Sequence, residues 1–209
     1  SFACIPYSIP FRPPRTTPKP VVNGSQTATV VGPNGEEIHT DKYGRVIVQF
    51  HWDREGTRDE KSSCWIRVGQ VWAGQGWGGV WIPRIGHEVV VSFLDGDPDR
   101  PLITGSVYNG MNMPPYPLPD EKTKSTVKSN STKGGNGFNE IRFEDKKGEE
   151  QIFVHAQKNV DLAVENDRFE TVKHDQHVTV GHDLVEQVKN EHRETVDVHR
   201  YTQIGRDYS

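Results

Sequence analysis

The chain has 209 residues and a formal net charge of −4, and only 33% of its residues are hydrophobic. This slight acidity excludes the strong positive field that marks most nucleic-acid-binding proteins. No apolar run approaches the roughly 20 residues of a membrane-spanning helix, and the first residues lack the basic region of a signal peptide. Two cysteines are too few for a disulfide framework, so we expect synthesis in the reducing cytoplasm.

Residues 1–22 are predicted to form an extended linker arm. Proline lacks a backbone donor and disfavours both helices and ladders. Six prolines recur in this segment: Pro6, Pro10, Pro13, Pro14, Pro18 and Pro20. Three basic residues leave a basic recognition arm as the weaker alternative.

Residues 23–110 are predicted to form a compact β domain. Turn-forming residues separate its strand candidates, which are residues 26–31, 44–52, 63–71, 87–94 and 101–108. Alternation in the second candidate places four apolar side chains on one face: Val46, Val48, Phe50 and Trp52. Because five short antiparallel strands without helical periodicity suit a small barrel, we predict an oligonucleotide/oligosaccharide-binding (OB) fold.

Two expectations concern side chains of this barrel. Cys64 lies in a strand-like run, so we expect it to be a small buried residue. Four tryptophans are expected to pack in the core or between subunits: Trp65, Trp72, Trp77 and Trp81.

Residues 111–135 are rich in Pro, Lys, Ser and Gly and are predicted to form a connector. Residues 136–160 resume strand character. Strand-like residues 139–145 and 150–156 flank the turn at 146–148, which predicts a hairpin or the first wider layers of the segment that follows.

An eight-residue repeat begins at about residue 160 and continues to the end of the sequence. Together with the strand-like residues before it, this repeat is predicted to form a needle at residues 136–209. One aliphatic residue recurs at this step: Val164, Val172, Val180, Val188, Val196 and Ile204. A helix of 3.6 residues per turn would rotate each octad by roughly 80°. Strand side chains alternate every two residues, so an even period keeps this valine column on one face. The repeat therefore predicts a β-helical needle.

The needle is predicted to need several chains. One strictly repeated aliphatic residue per octad buries too little apolar surface to offset the ordering of eight residues. If other copies supply the remaining sides of a prism, the valine columns meet on a shared axis. The spacing indicates an intertwined homo-oligomer without fixing the number of chains, although a triangular section is the simplest closed prism.

The motifs with chemical meaning favour structural interpretations. Residues 74–79 match G-x-G-x-x-G, but no helix can begin after them, so no dinucleotide site is expected. Residues 95–99 resemble the start of a calcium loop, but the loop's twelfth position, where a Glu is required, has none. A tight turn between two strands is therefore expected there. Three histidines are weak candidates for a metal on the needle axis: His174, His177 and His182. Because no catalytic constellation or carboxylate pair is evident, we expect no cofactor and no enzymatic activity.

Long ordered runs in the barrel resemble one family. Residues 40–53, 62–68, 72–74, 82–86, 93–101 and 105–109 strongly resemble the VgrG spike proteins of bacterial type VI secretion. The resemblance implies a homotrimer in which the barrel forms a neck and the octads form the needle. It also implies a PAAR-repeat tip protein and carried effectors, with the Hcp tube and baseplate held by an N-terminal hub. We expect no part of that hub in these 209 residues, because their first segment is predicted to be the linker.

The function implied by this resemblance is mechanical. A contracting sheath would drive the spike, assembled in the cytoplasm, out of the cell and through a target envelope, without nucleic-acid binding or stable membrane insertion. The alternatives are a phage or prophage tail spike of the same architecture and a spike enzyme that cleaves peptidoglycan. A single-strand nucleic-acid binder is a further alternative, and the net acidity argues against it.

Overall fold

The computed structural model describes residue 2 and residues 4–205, which fall into two compact units, Ser1–Val160 and Asp161–Ser209. Regular structure in the described residues consists of eight β-strands and one short 3-10 helix at Leu94–Gly96. None of the helices in this part of the chain is long and apolar enough to span a membrane. The protein is therefore all-β, as predicted.

The first five strands form one curled sheet with the order β2-β1-β4-β5-β3. They are β1 (Gln26–Val31), β2 (Ile47–Phe50), β3 (Arg67–Val68), β4 (Glu88–Phe93) and β5 (Pro101–Val107). An antiparallel bridge between Val46 and Ile66 links the ends of the sheet, with N–H···O distances of 3.0 and 2.9 Å. The resulting circular order is that of the predicted OB barrel.

One strand pairing differs from the prediction of an all-antiparallel barrel. β3 runs parallel to β5, with Arg67 opposite Leu102 and Val68 opposite Ile103. A parallel pair needs a crossover connection. Here β4 lies between the two strands in sequence and supplies it, so β5 returns in the direction of β3.

The barrel core consists of small aliphatic side chains from all five strands or their flanks. Its fully buried members are Ala28, Val30, Val46, Val48, Ile66, Val89, Val91 and Ile103. Val46 and Val48 confirm the predicted face of β2, and Phe50 packs against the core at its edge. Trp52, the fourth predicted member, lies past the end of the strand, is exposed, and stacks on Phe50 with ring centroids 5.2 Å apart.

The opposite face of β2 is also covered, because the loop after the strand folds over Gln49. The Gln49 amide donates to the carbonyl oxygens of Asp53 (3.2 Å) and Gly56 (3.1 Å) and accepts from the Arg58 N–H at 2.8 Å. A buried amide is tolerated only when it is hydrogen-bonded. This side chain therefore fixes the loop against the barrel.

Two side-chain expectations for the barrel are wrong in the single chain. Cys64 is exposed, because its run becomes regular strand only at Arg67. Trp72, Trp77 and Trp81 are exposed as well, since they lie on a glycine-rich loop outside the barrel wall. Ile82, which follows them, is the residue that packs against the core. Trp65 is half-buried, and inter-subunit packing of the tryptophans stays a prediction.

A second, three-stranded antiparallel sheet follows, with the order β6-β7-β8. Its strands are β6 (Lys124–Lys128), β7 (Glu140–Glu144) and β8 (Gln151–His155). β7 and β8 confirm the predicted hairpin. β6 lies inside the predicted connector and was not identified as a strand, because Lys-Ser-Thr-Val-Lys contains one apolar residue and neighbours turn-forming residues.

Residues 161–205, the described part of the second unit, repeat their backbone geometry every eight residues. Paired bends lie at residues 165–166, 173–174, 181–182, 189–190 and 197–198, and six residues separate each pair from the next. The octad period is thus present in the backbone. Within the described part of this unit no strand ladder is formed.

Candidate assembly surfaces

The β6-β7-β8 sheet exposes its apolar face in the single chain. Val127, Ile141 and Val154 are cross-strand neighbours, and Phe143 lies opposite Ile152 in the next apolar row. These five side chains are 44–71% exposed. Contiguous exposed apolar surface of this kind marks an interaction site.

The polar face of the same sheet is partly covered instead, and at its centre Glu140 is buried, with 3% of its surface exposed. Tyr116, from the segment before β6, donates its hydroxyl to the Glu140 carboxylate, and Thr126 donates to the same oxygen at 2.8 Å. Arg142 donates to the Tyr116 hydroxyl at 2.8 Å. The Nζ atom of Lys124 lies 4.8 Å from the centroid of the Tyr116 ring.

Charge and hydrogen bonding determine the ionisation of Glu140. Burial alone would raise its pKa, but the donors Tyr116 and Thr126 and the charges of Lys128 and Arg142 lower the pKa below its ordinary value. The carboxylate is therefore ionised and held by its partners. Because this network occupies the polar face, the apolar face is the side that remains free for a partner.

The octads present a second apolar surface. Val164, Val172, Val180, Val188 and Val196 are 43–49% exposed, whereas Phe169, Val185 and Tyr201 are 86–90% exposed. In each six-residue segment between bends, the sixth residue is the column valine, and alternation places the second and fourth residues on its face. We call this face the inner face, and the face of the first, third and fifth residues the outer face.

Side chains on the inner face pair between successive octads. The second residue of one segment contacts the fourth residue of the segment before it, six residues earlier in the chain. Gln176 donates to Glu170 at 3.1 Å, Arg200 forms an ion pair with Glu194, and the His192 Nδ1 lies 3.5 Å from the Glu186 carboxylate. Val178 and Leu184 occupy the same two positions in the octads between them. In chain order, the inner face thus carries one polar pair, one apolar pair and then two polar pairs.

The structure does not bring the three predicted histidines together. His174 and His182 lie at the second position of their bends, and each Nδ1 is 2.9 Å from the neighbouring aspartate. His177 is a third residue and belongs to the outer face. Among the described residues, no cluster of three potential ligands exists in one chain. His192, which sequence reasoning did not select, is the histidine on the inner face; only the bend positions reveal its register.

The loop at residues 95–99 is engaged by the arm. Lys19 Nζ lies 2.6 Å from the Asp97 carboxylate and 3.6 Å from that of Asp99, and the Val22 N–H donates to the Gly96 carbonyl at 2.8 Å. A lysine ammonium thus lies where the calcium-loop interpretation would require a cation. These contacts agree with a structural turn at residues 95–99 that holds the arm.

Two domain families match the chain over most of its length. Residues 26–108 match the type VI secretion system/phage-baseplate injector OB domain, and residues 125–209 match the bacteriophage T4 gp5 C-terminal trimerisation domain. These matches define the class of protein, an injector component with an OB barrel and a trimerisation domain. The second match supports a homotrimer.

Relatives narrow the class further. The chain is 53% identical to the type VI secretion system spike protein VgrG4b of Pseudomonas aeruginosa, over 97% of this chain and 23% of that protein. It is 61% identical to spike protein VgrG1a of the same organism, over 82% of this chain and 27% of the relative. It is 50% identical to the actin cross-linking toxin VgrG1 of Vibrio cholerae, over 98% of this chain and 18% of the relative.

The chain belongs to the VgrG family of type VI secretion spike proteins, which confirms the resemblance of the barrel runs. It spans about a quarter of the length of the spike relatives that it matches.

Proposed function

We propose that this chain is the neck and needle of a puncturing spike, which assembles as a homotrimer and is driven through a target envelope by sheath contraction. The observation that carries the proposal is the octad unit, whose extended segments form no ladder within residues 161–205. Backbone N–H and C=O groups that leave water must be paired. Other copies of the chain supply the missing pairs.

Five apolar side chains of the β6-β7-β8 sheet support the same assembly. Their face is free because Tyr116 and Glu140 hold the polar face against the segment before β6. Three copies that meet through this face would remove it from water. Within the octad unit, the valine columns of three chains would likewise form a shared apolar interior.

The proposed neck and needle suggest the following domain boundaries. We assign residues 1–22 to a linker arm, 23–110 to the OB neck, 111–135 to a connector that contains β6, and 136–209 to the needle. The arm contacts the neck through Lys19 and Val22.

Interlocked strands suit a mechanical task. No single segment of the needle can leave without breaking ladders shared with two other chains. Resistance on the timescale of one contraction depends on the unfolding barrier, which is kinetic stability. A charged outer face would keep the needle soluble, and closure of the prism would remove its sheet edges.

The remaining roles come from the family. The proposed spike is not an enzyme in these residues, is assembled in the bacterial cytoplasm and is then delivered outward. A PAAR-type tip protein and effectors would ride on it, and an N-terminal hub would connect it to the Hcp tube and baseplate. The relatives named as spike proteins support a structural role.

The test uses the complete protein in the bacterium that produces it. Val172→Asp and Val188→Asp together should abolish export of the spike, whereas Thr171→Asp and Gln187→Asp, which add the same charges on the outer face, should leave export intact. Equal export of both variants would contradict the proposal. Purified wild-type protein should also leave a cell-wall suspension turbid, and clearing would favour the peptidoglycan-cleaving alternative.

A further inference from the structure

Three glutamates on the inner face lie next to a basic side chain. Two of them pair with an arginine, and the third lies next to a histidine. Arg168 forms an ion pair with Glu170 at 2.6 Å, and Arg200 forms one with Glu194. The Glu186 carboxylate lies against His192 instead, at 3.5 Å. In the homotrimer proposed above, three Glu186 carboxylates would therefore face the interior without a permanent cation beside them.

The orientation of His192 is the second feature of this layer. Its Nδ1 atom faces the Glu186 carboxylate, which leaves Nε2 as the free ring nitrogen. A histidine that binds a metal typically directs its other ring N–H to a carboxylate, which fixes the tautomer and the ring orientation. In one chain the Nδ1 of His192 lies 3.5 Å from the Glu186 carboxylate, which is an ion-pair contact with the same order of groups.

The second position of the segments makes this layer distinct. It is occupied in turn by Val160, Arg168, Gln176, Leu184, His192 and Arg200. His192 is thus the single imidazole among these inner-face positions. Threefold symmetry would place three copies of its Nε2 around one axis, and imidazole nitrogen is a preferred ligand of Zn²⁺ and other first-row divalent metals.

We propose that the needle binds one divalent transition metal on its axis, held by His192 from each of three chains and oriented by Glu186. The ion offsets part of the negative charge of the Glu186 layer and joins the three chains at one level. The site is incomplete in a single chain, so it rests on the proposed homotrimer. The outer-face histidine, His177, and the bend histidines, His174 and His182, take no part.

The experiment uses the untagged complete chain, stripped with a chelator and then titrated with Co²⁺ and Zn²⁺. We expect one metal per three chains, with Co²⁺ giving the visible absorption of a low-coordinate nitrogen site. His192→Gln should abolish binding, Glu186→Gln should weaken it about 10- to 100-fold, and His177→Gln should bind as the wild type does.

The outcomes separate the two proposals. A wild-type mass other than three chains would overturn the homotrimer itself. A trimer that binds no metal, or one that binds equally after His192→Gln, would overturn the metal site and leave the spike proposal standing. A trimer in which only the pH dependence of melting changes on His192→Gln would show that protons, rather than a metal, balance the Glu186 layer, and would also overturn the site.

Discussion

Val180→Asp tests whether the valine column faces a shared interior. Val180 is 43% exposed in the single chain, so assembly would remove that remaining surface from water. The substitution would bring three carboxylates towards one axis. We expect it to destabilise the trimer through lost apolar burial, desolvation of charge and mutual repulsion.

The magnitude follows from the exposed fraction. Full burial of an aliphatic side chain contributes about 1.5–3 kcal/mol. The 43% still exposed on Val180 corresponds to roughly 1 kcal/mol per chain and about 3 kcal/mol for three chains. The buried carboxylates add several kcal/mol to this loss. The total would separate the chains or lower the melting temperature by many degrees.

Thr179→Asp is the matched control, because it adds the same charge one residue away on the outer face. The two variants are compared by thermal melting and by mass in solution at equal chain concentration. We expect the control to melt close to the wild type. Equal melting temperatures for the two variants would refute a buried valine column.

Two further predictions concern the network that covers the polar face of the β6-β7-β8 sheet. Tyr116→Phe removes the hydroxyl between Glu140 and Arg142 and should lower the free energy of unfolding by about 1–3 kcal/mol, whereas Tyr108→Phe, at an exposed tyrosine, should change it little. The lowered pKa of Glu140 means that its stabilising contribution is complete above the ordinary carboxyl range and is lost as the pH falls through the folded-state pKa. Glu140→Gln should therefore flatten the acid side of the stability profile, measured by urea unfolding between about pH 7 and pH 3. An unchanged stability of Tyr116→Phe, or an equally steep acid loss in Glu140→Gln, would contradict the importance of this network.

The barrel was predictable because its strands carry strong local signals. β1 is found at the predicted residues, and β4 and β5 lie inside their predicted ranges. The parallel β3–β5 pair was not predictable from alternation, which reports the face of a side chain and not the direction of its neighbour. The exposed position of Cys64 has a related cause, since a strand-like sequence there forms only two residues of strand.

The assembly surfaces were predicted in part. The octad period was predictable because the valine column recurs at a fixed spacing although its neighbours vary. The paired backbone bends recur at the same spacing. The role of Tyr116 and Glu140 was hidden, because the contact joins residues 24 apart and Tyr116 lies outside any helix or strand. His192 was missed for another reason. Its face depends on where the bends fall, and composition alone does not locate them.

The mass of the purified chain in solution is the most direct test of the intertwined homotrimer. Native mass spectrometry at micromolar concentration should give about three times the 23.6 kDa of one chain, and dissociation should require denaturant. A stable species with the mass of one chain would contradict the account, because the octad segments would then have no source of ladder partners.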